Sequence, residues 1–391
     1  MSKIKEIYLN LCMSSVFHQV MKKPPLTHLA DYCRDGATRD EKIKAYASFV
    51  SEIYTQGGSL SKLVCRLVSE DENVFIKSKA GHIALSDCVA VATERELRVF
   101  EQLSRLTPED FAQDLSLDYV SPFEWSEIDF VEAYNERIKN LDKYGYGIFS
   151  SYCMFRLSDD KEIEPIVSAD KTMISKFVGY ETERQSVIDN TIAFIEGRPA
   201  ANTLLCGDAG TGKSSTVKAV ANHFFESGIR LVELRKDQLC HLPYVMGKIS
   251  KNPLKFIIFI DDLSFNKNDD NFSMLKAALE GSASAKADNA VIYATSNRRH
   301  IIKETFGDRV GDDVHRNDTL QENLSLSERF GLVVLFQKPN KALYLDIVHE
   351  LAKRNGIEME ISELDVKAEA FALRRGSRSA RCAEQFIESL M

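Results

Sequence analysis

Residues 207–214 read Gly-Asp-Ala-Gly-Thr-Gly-Lys-Ser, which matches the phosphate-binding pattern G-x-x-x-x-G-K-[ST] in full. An apolar run at 203–206 precedes this segment, and apolar residues at helical spacing follow it. A strand, a glycine-rich loop and the first turn of a helix form an anion site, because their backbone N–H groups point towards the phosphates. We therefore predict that this loop binds a nucleotide.

Two side chains of the loop have distinct predicted roles. Lys213 should reach the β- and γ-phosphates, and the Ser214 hydroxyl should contact Mg²⁺. The glycines let the backbone approach the phosphates where a Cβ would obstruct it. The predicted nucleotide-binding residues of the loop are Gly207, Asp208, Ala209, Gly210, Thr211, Gly212, Lys213, Ser214 and Ser215.

A carboxylate that holds the metal is expected at the end of a neighbouring strand. The apolar run 256–260 is typical of a buried strand, and Asp261 and Asp262 follow it directly. Ligands bind at the carboxyl ends of strands in parallel sheets. We predict Asp261 as a Mg²⁺ ligand and Asp262 as the group that polarises the attacking water. The alternative is a pair of solvated acids that begins a loop.

Three further polar residues complete the predicted catalytic set. Asn297 follows the next strand, where its amide can orient the water and contact the γ-phosphate. Arg329 precedes the last strand and is predicted to project into a neighbouring subunit's site, with an in-chain salt bridge as the alternative. Arg381, near the start of the final helix, is predicted to contact the γ-phosphate, and Arg378 is its competitor for that role.

These residues require a parallel sheet to position them. From about residue 173 helical and extended patterns alternate, which is typical of a parallel sheet covered on both faces. The predicted fold class is α/β: a P-loop NTPase five-stranded parallel sheet with a C-terminal helical lid, preceded by a mostly helical N-terminal domain. The predicted strands are 203–206, 229–234, 256–260, 290–295 and 332–336.

The organisation of the whole chain follows from the same patterns. Apolar stripes at helical spacing dominate the first part, and an extended pattern with a turn at 158–161 comes next, with Ile148 and Phe149 as part of that extended stretch. Only helical patterns remain after Pro339. The predicted parts are a helical domain at 1–143, a hairpin or linker at 144–172, the ATPase core at 173–338 and the lid at 339–391.

Composition limits the class of protein. The 391 residues carry a formal net charge of −8 with 44% hydrophobic residues, which is ordinary for a globular protein and argues against a surface that binds nucleic acid throughout. A local basic patch is still compatible with this charge. Eight scattered cysteines without a C-x-x-C pair indicate a reduced compartment. With no apolar stretch long enough to span a bilayer, the expected location is cytoplasmic.

The motifs together resemble those of the AAA+ ATPases. Residues 207–215, 255–265, 294–300 and 324–332 stand in the order of Walker A, Walker B, sensor 1 and arginine finger, and 376–386 resemble the lid-borne sensor 2. The Phe177-Val178 segment resembles the part that covers the adenine. More closely, the chain resembles an uncharacterised bacterial AAA+ family catalogued only as a domain of unknown function. Helicase loaders and replication initiators are more distant relatives.

The resemblance implies ATP and Mg²⁺ as ligands and a homo-oligomer, since the finger acts in a neighbouring subunit. Most AAA+ enzymes place glutamate after the metal-binding aspartate, whereas this chain has Asp262, which is one methylene shorter. Loaders and initiators also often have two aspartates there. The expectation is therefore a slow, switch-like ATPase that acts on an unknown protein partner.

Three other functions stay open at this stage. One is an ATP-gated loader or assembly factor, whose output is the binding state rather than turnover. Another is a P-loop kinase or GTPase, because 266–269 spell the guanine-reading pattern N-K-x-D. The third is a catalytically silent ATP-binding scaffold. The segment 239–250 offers Tyr244 and Val245 for a channel lining, although core or subunit contacts are the alternative that the pattern favours.

Overall fold

The computed structural model describes residues 2–264, 274–276, 279, 287–297 and 329–391. The chain forms two compact units, Met1–Ser151 and Tyr152–Met391. The N-K-x-D pattern at 266–269, the residues Arg298 and Arg299, and the part of the finger motif at 324–328 lie outside the described residues.

The first unit is built from helices. They are α1 Lys3–Leu11, α2 Leu26–Tyr32, α3 Arg39–Thr55, α4 Leu60–Ser69, α5 Val74–Ala80, α6 Asp87–Ser104, α7 Pro108–Leu115, α8 Phe130–Lys139, α9 Leu141–Tyr144 and α10 Ile148–Ser151. Capping boxes at Thr38 and Thr107 fix the starts of α3 and α7, because each threonine and the acid three residues later satisfy each other's backbone N–H. The prediction that Ile148 and Phe149 are extended is wrong, since both lie in α10.

Aromatic rings fill much of the core of this unit. The ring of Phe111, on α7, has its centroid 4.8 to 5.5 Å from those of Tyr32, Tyr46 and Phe49. Phe111 and Phe49 are 0% and 1% exposed. Such ring pairs each add about 0.5–1.5 kcal/mol beyond the area that they bury. The apolar stripes of the sequence therefore serve packing here.

A buried carboxylate anchors one loop of the first unit. Glu96 on α6 is 9% exposed. Its carboxylate accepts the backbone N–H of Ser15 at 2.8 Å and that of Phe17 at 3.0 Å. It also accepts the Ser15 hydroxyl at 2.9 Å and the Val16 N–H at 3.0 Å. The chain's own donors therefore stabilise this carboxylate.

The second unit contains a seven-stranded sheet. Its strands are β1 Met154–Leu157, β2 Ile163–Pro165, β3 Thr203–Gly207, β4 Ile229–Leu234, β5 Lys255–Ile260, β6 Ala290–Ser296 and β7 Leu332–Phe336. The spatial order is β2-β1-β4-β5-β6-β3-β7. The six strands from β1 to β7 in this spatial order pair with their neighbours in parallel. At the edge of the sheet, β2 pairs antiparallel with β1.

The sheet has seven strands, so the prediction of five is wrong. The hairpin β1–β2 does not merely connect the units but extends the sheet, with Phe155 of β1 opposite Val232 of β4. This pairing joins residues far apart in sequence, so the local pattern of the hairpin could not indicate it. The five core strands are all present, and the bounds predicted for β4 and β7 agree with the structure.

Helices cover the sheet and form the lid. They are α11 Glu181–Ile195, α12 Lys213–His223, α13 Leu242–Ile249, α14 Lys341–Arg354, α15 Ile361–Arg375 and α16 Ala380–Glu388. The last three pack on one another around a small apolar core that includes Tyr344 and Phe386. In α13, Val245 is fully buried, whereas Tyr244 is 39% exposed, so only Tyr244 is available for outside contacts. No helix in the described parts of the chain is both long and apolar enough to span a membrane.

Candidate nucleotide-binding site

The glycine-rich loop joins β3 to α12 at the carboxyl edge of the sheet. Gly207, the last residue of β3, has φ +137°. A Cβ at this position would lie 1.9 Å from the carbonyl oxygen of Phe336 in β7. Only glycine therefore allows β7 to pair this closely at the start of the loop. The sheet thus places the loop at the position where phosphates bind in such folds.

Lys213 lies at the centre of this loop. Its Nζ donates to the carbonyl oxygens of Gly207 and Asp208 at 3.0 and 2.7 Å and to the Oδ1 of Asn297 at 3.0 Å. Burial lowers the pKa of Lys213, while the negative charge of Asp208 opposes this shift. The ammonium group is held between the loop and the end of β6, where it can exchange a carbonyl oxygen for a phosphate oxygen.

Asp261 follows β5 and contacts the loop helix. Its Oδ1 accepts the hydroxyls of Ser214 and Thr295, each at 2.5 Å. The carboxylate is exposed to solvent. Mg²⁺ prefers oxygen ligands and usually keeps several waters, with one or two carboxylates and phosphate oxygens. One accessible carboxylate beside one hydroxyl, at the mouth of a phosphate loop, fits Mg²⁺ with a nucleotide, and Asp261 and Ser214 would hold it.

Asp262 adopts an unusual backbone conformation. Its φ is +50°, in the left-handed region that non-glycine residues seldom occupy. Its Oδ1 accepts the side-chain N–H of Asn297 at 2.8 Å. Since Asn297 also accepts from Lys213, the three side chains form a continuous hydrogen-bonded chain across the carboxyl ends of β3, β6 and β5. The structure thus brings together residues that lie far apart in sequence.

A cleft beside the loop suits a nucleoside. It is lined on one side by Phe177, Val178 and Tyr180 and on the other by Ile347 and Leu351 of the lid. Gly210, Thr211, Gly212 and Ser215 form its inner end. Apolar walls next to a phosphate loop offer a place for a base and for its phosphates in one cleft. The two residues predicted to cover the base therefore lie in the wall of the cleft.

Arg184 of α11 holds this wall in place. Its side chain is 7% exposed, and its guanidinium donates to the Gly179 carbonyl and lies 5.2 Å from the centroid of the Phe177 ring. Burial lowers the pKa of Arg184. Sequence reasoning missed this residue because an arginine in the first turn of a helix is typically a surface charge.

The two candidate lid arginines differ in their surroundings. Arg378 makes a bidentate pair with Glu369 at 2.9 and 2.6 Å, and this pair raises the pKa of Arg378. Arg381 instead lines the cleft, and its backbone N–H donates to the carbonyl of Gly210 at 3.3 Å. Of the two, Arg381 is therefore the one that faces the glycine-rich loop.

Arg329 lies at the opposite edge of the sheet. In the parallel register Leu332 of β7 is level with Thr203, and Phe336 is level with Gly207 at the loop. Arg329 comes three residues before Leu332 and so precedes the end of β7 that lies, along the strand, roughly 13 Å from the loop of its own chain. The structure does not bring Arg329 together with the other predicted catalytic residues.

Fold and site together define a class of protein. A phosphate loop follows β3, two aspartates follow β5, an asparagine ends the intervening β6, and a helical lid follows β7. This is the architecture of an AAA+ type P-loop protein. The predicted fold class is confirmed apart from the number of strands.

The family model described as "Protein of unknown function (DUF815)" matches residues 150–391. This match covers more than half of the chain, which therefore belongs to that family. The predicted resemblance to an uncharacterised family with AAA+ motifs is thereby confirmed. No curated protein matches the chain.

Solved structures with some similarity include RuvB of Thermotoga maritima, a Holliday junction branch migration motor. It is 13% identical over 56% of this chain and 71% of its own, with a TM-score of 0.34. Two single-site variants of RuvB are 14% and 12% identical over the same shares, with TM-scores of 0.34 and 0.35. TM-scores this low lend no weight to a shared substrate or activity.

Proposed function

We propose that this chain is an ATPase that binds Mg-ATP and hydrolyses it slowly, to drive or switch the remodelling of a macromolecular partner. The observation that supports this proposal best is the hydrogen-bonded chain Lys213–Asn297–Asp262, with the Asp261 carboxylate and Ser214 hydroxyl beside it. A mere tight turn would not need five polar side chains from three separate strand ends.

Each of these side chains has a distinct task in the proposed reaction. Lys213 binds the β- and γ-phosphates, and Asp261 with Ser214 holds Mg²⁺, which neutralises charge on the phosphates. Asp262 orients and polarises the attacking water. The Asn297 amide donates to Oδ1 of Asp262, which leaves Oδ2 to accept from the water. Asp262 is one methylene shorter than the glutamate that most AAA+ enzymes have at this position, and this shorter reach supports slow turnover.

The position of Arg329 supports an oligomer. An arginine that precedes this end of β7, roughly 13 Å along the strand from the loop of its own chain, acts on a nucleotide only when a second copy presents it there. Such an arginine accelerates phosphoryl transfer by about 10³–10⁵-fold. Arg381 of the lid would contact the γ-phosphate within the chain. We therefore include homo-oligomerisation in the proposed function.

Measuring the ATPase rate against protein concentration tests this proposal. The rate per subunit should rise with concentration and level off when the oligomer is complete, and Arg329→Ala should stay at the low level throughout. A flat rate in a monomer would contradict the role of Arg329. Parallel binding titrations with ATP and GTP show which base the site prefers. A higher affinity for GTP would favour the kinase or GTPase class.

A second candidate is an ATP-gated loader or assembly factor. The aspartate at position 262 favours it, because slow turnover prolongs the ATP-bound state, and a state that holds ATP for long can act as a signal. Co-purification with Asp262→Asn, which should trap the ATP state, identifies the protein partner. Stimulation of the ATPase by DNA that falls with added salt would favour a loader that acts on nucleic acid.

A further inference from the structure

We propose that Thr295 is the positioning residue of the two aspartates: its hydroxyl holds the Asp261 carboxylate and the Asp262 backbone at the same time. The proposal rests on the proposed Mg-ATP function. It concerns a buried residue of the 294–300 motif other than Asn297, the residue of that motif to which the resemblance gives a role.

The Thr295 hydroxyl makes a hydrogen bond to each of the two aspartates. Thr295 lies near the end of β6 and is 2% exposed. Its Oγ1 donates to the Oδ1 of Asp261 at 2.5 Å and accepts the backbone N–H of Asp262 at 3.0 Å. A hydroxyl has one hydrogen to donate and lone pairs to accept with. One side chain thus contacts both Asp261 and Asp262.

The backbone of Thr295 contributes as well. Its carbonyl oxygen accepts the N–H of Leu263 at 2.7 Å. Three consecutive residues, 261 to 263, are therefore attached to Thr295, and only two of these attachments depend on the hydroxyl. Substitution of the side chain can remove the hydroxyl contacts while the contact to Leu263 stays.

The conformation of Asp262 explains why the hydroxyl matters. A left-handed backbone costs a non-glycine residue about 1–2 kcal/mol, and it persists only where surrounding contacts favour it. The N–H of Asp262 has Thr295 Oγ1 as its acceptor at 3.0 Å, together with the Oδ1 of Asp261 at 3.1 Å. Loss of the hydroxyl therefore favours relaxation of this residue, which moves its carboxylate away from Asn297.

The orientation of Asp261 depends on the same hydroxyl. Its Oδ1 accepts Thr295 on one side and Ser214 on the other. Ser214 would give up this hydrogen bond if its hydroxyl served as a metal ligand, and Thr295 would then be the side-chain hydroxyl that still orients the carboxylate. Charge-assisted hydrogen bonds of this kind are the stronger ones in proteins. We therefore expect Thr295 to influence metal affinity rather than nucleotide affinity as such.

The experiment measures binding of a fluorescent ATP analogue at rising Mg²⁺ concentrations and, separately, with a chelator. Thr295→Val keeps the shape of the side chain but removes the hydroxyl, and Thr295→Ser keeps the hydroxyl. The valine variant should need about 10-fold more Mg²⁺ for half-maximal enhancement, since it loses a hydrogen bond to a charged group. Its affinity without Mg²⁺ should stay within about twofold of the original, and the serine variant should behave like the original.

Thr203→Val is the matched control. Thr203 is 0% exposed on the neighbouring β3, and its hydroxyl donates to the Ala201 carbonyl at 3.3 Å and accepts from the Asn190 side chain at 3.1 Å, away from the aspartates. It should leave the Mg²⁺ requirement unchanged. If Thr295→Val does not fold, Thr295→Ala removes the same hydroxyl without its bulk and carries the same expectation.

The outcomes separate this proposal from the proposed function. If the original protein shows Mg-dependent binding and Thr295→Val matches it, Thr295 has no positioning role but the ATPase proposal stands. An equal shift in Thr295→Ser or Thr203→Val indicates a packing effect and also overturns the positioning role. If the original protein binds no nucleotide with or without Mg²⁺, both proposals are wrong.

Discussion

Glu96 in the helical unit and Asp261 in the α/β unit both accept several hydrogen bonds, but they differ in exposure and in the balance of their donors. Glu96 is buried and takes the backbone N–H groups of residues 15 to 17 and one hydroxyl, that of Ser15. Asp261 is exposed and takes two side-chain hydroxyls and one backbone N–H, that of Asp262. Backbone donors fix a loop permanently, whereas a serine hydroxyl can turn to another partner.

The difference extends to the two units as wholes. In the helical unit the buried acids Glu96 and Glu101 accept hydrogen bonds from residues of the same unit. Glu101 accepts from the side chains of Arg98 and Arg105. In the α/β unit polar groups gather where strands end, beside an open cleft. Acids that stabilise structure are thus buried among donors of their own unit, whereas the acid that awaits a ligand is exposed beside the cleft.

The largest effect is expected for Lys213→Ala, which tests whether the polar groups of the α/β unit bind a ligand. Loss of the ammonium should weaken ATP binding by roughly 100-fold or more, because each charge-assisted bond to phosphate contributes several-fold and the cation is lost altogether. Isothermal titration with ATP measures it. Lys218→Ala on the same helix, whose amine pairs with Glu233, should leave the affinity unchanged. Equal affinity of Lys213→Ala and the original would refute the predicted role of Lys213.

Asp262→Asn should lower the turnover number by about 10²–10⁴-fold while ATP binding stays intact, since it removes only the base that polarises the water. Single-turnover hydrolysis together with a binding titration checks both parts. Asp159→Asn is a suitable control, because Asp159 is an acid that pairs with Arg235 at the hairpin turn. Unchanged turnover in Asp262→Asn would remove Asp262 from the catalytic set.

Glu96→Gln tests the structural role of the buried acid in the helical unit. The amide nitrogen of glutamine cannot accept the backbone N–H groups, so the free energy of unfolding of the helical unit should fall by about 1–3 kcal/mol. Denaturant unfolding measures this, and ATP affinity should not change. Glu94→Gln, on the exposed face of the same helix α6, should have almost no effect. A stable Glu96→Gln protein with altered nucleotide binding would show that the comparison is wrong.

The smallest effects concern the lid arginines. Arg378→Ala leaves the Glu369 carboxylate without its bidentate partner, so the melting temperature should fall slightly, as for a partly exposed ion pair. Arg381→Ala should instead weaken ATP binding several-fold with little change in stability. Thermal melts and nucleotide titrations of both variants check the assignment, and reversed results would make Arg378 the residue that senses nucleotide.

Much of this architecture could be predicted because its signals are local. The glycine-rich loop specifies its own backbone, and the apolar run of β5 ends at the two aspartates in sequence as in space. The chain of hydrogen bonds through Asn297 was not predictable, since it depends on β6 lying between β5 and β3. Thr295 also gave no signal: threonine is common in strands, and only the left-handed backbone of Asp262 makes its hydroxyl important.

The hairpin β1–β2 has a practical consequence for experiments on fragments. A fragment that begins at 173, where the sequence pattern suggests a boundary, would remove β1 and leave one side of β4 without its backbone partners. Unpaired strand edges are templates for association with other chains, and β4 is almost entirely buried and has four apolar residues among its six. Such a fragment should therefore aggregate. A fragment of the α/β unit should instead start at Tyr152, ahead of β1.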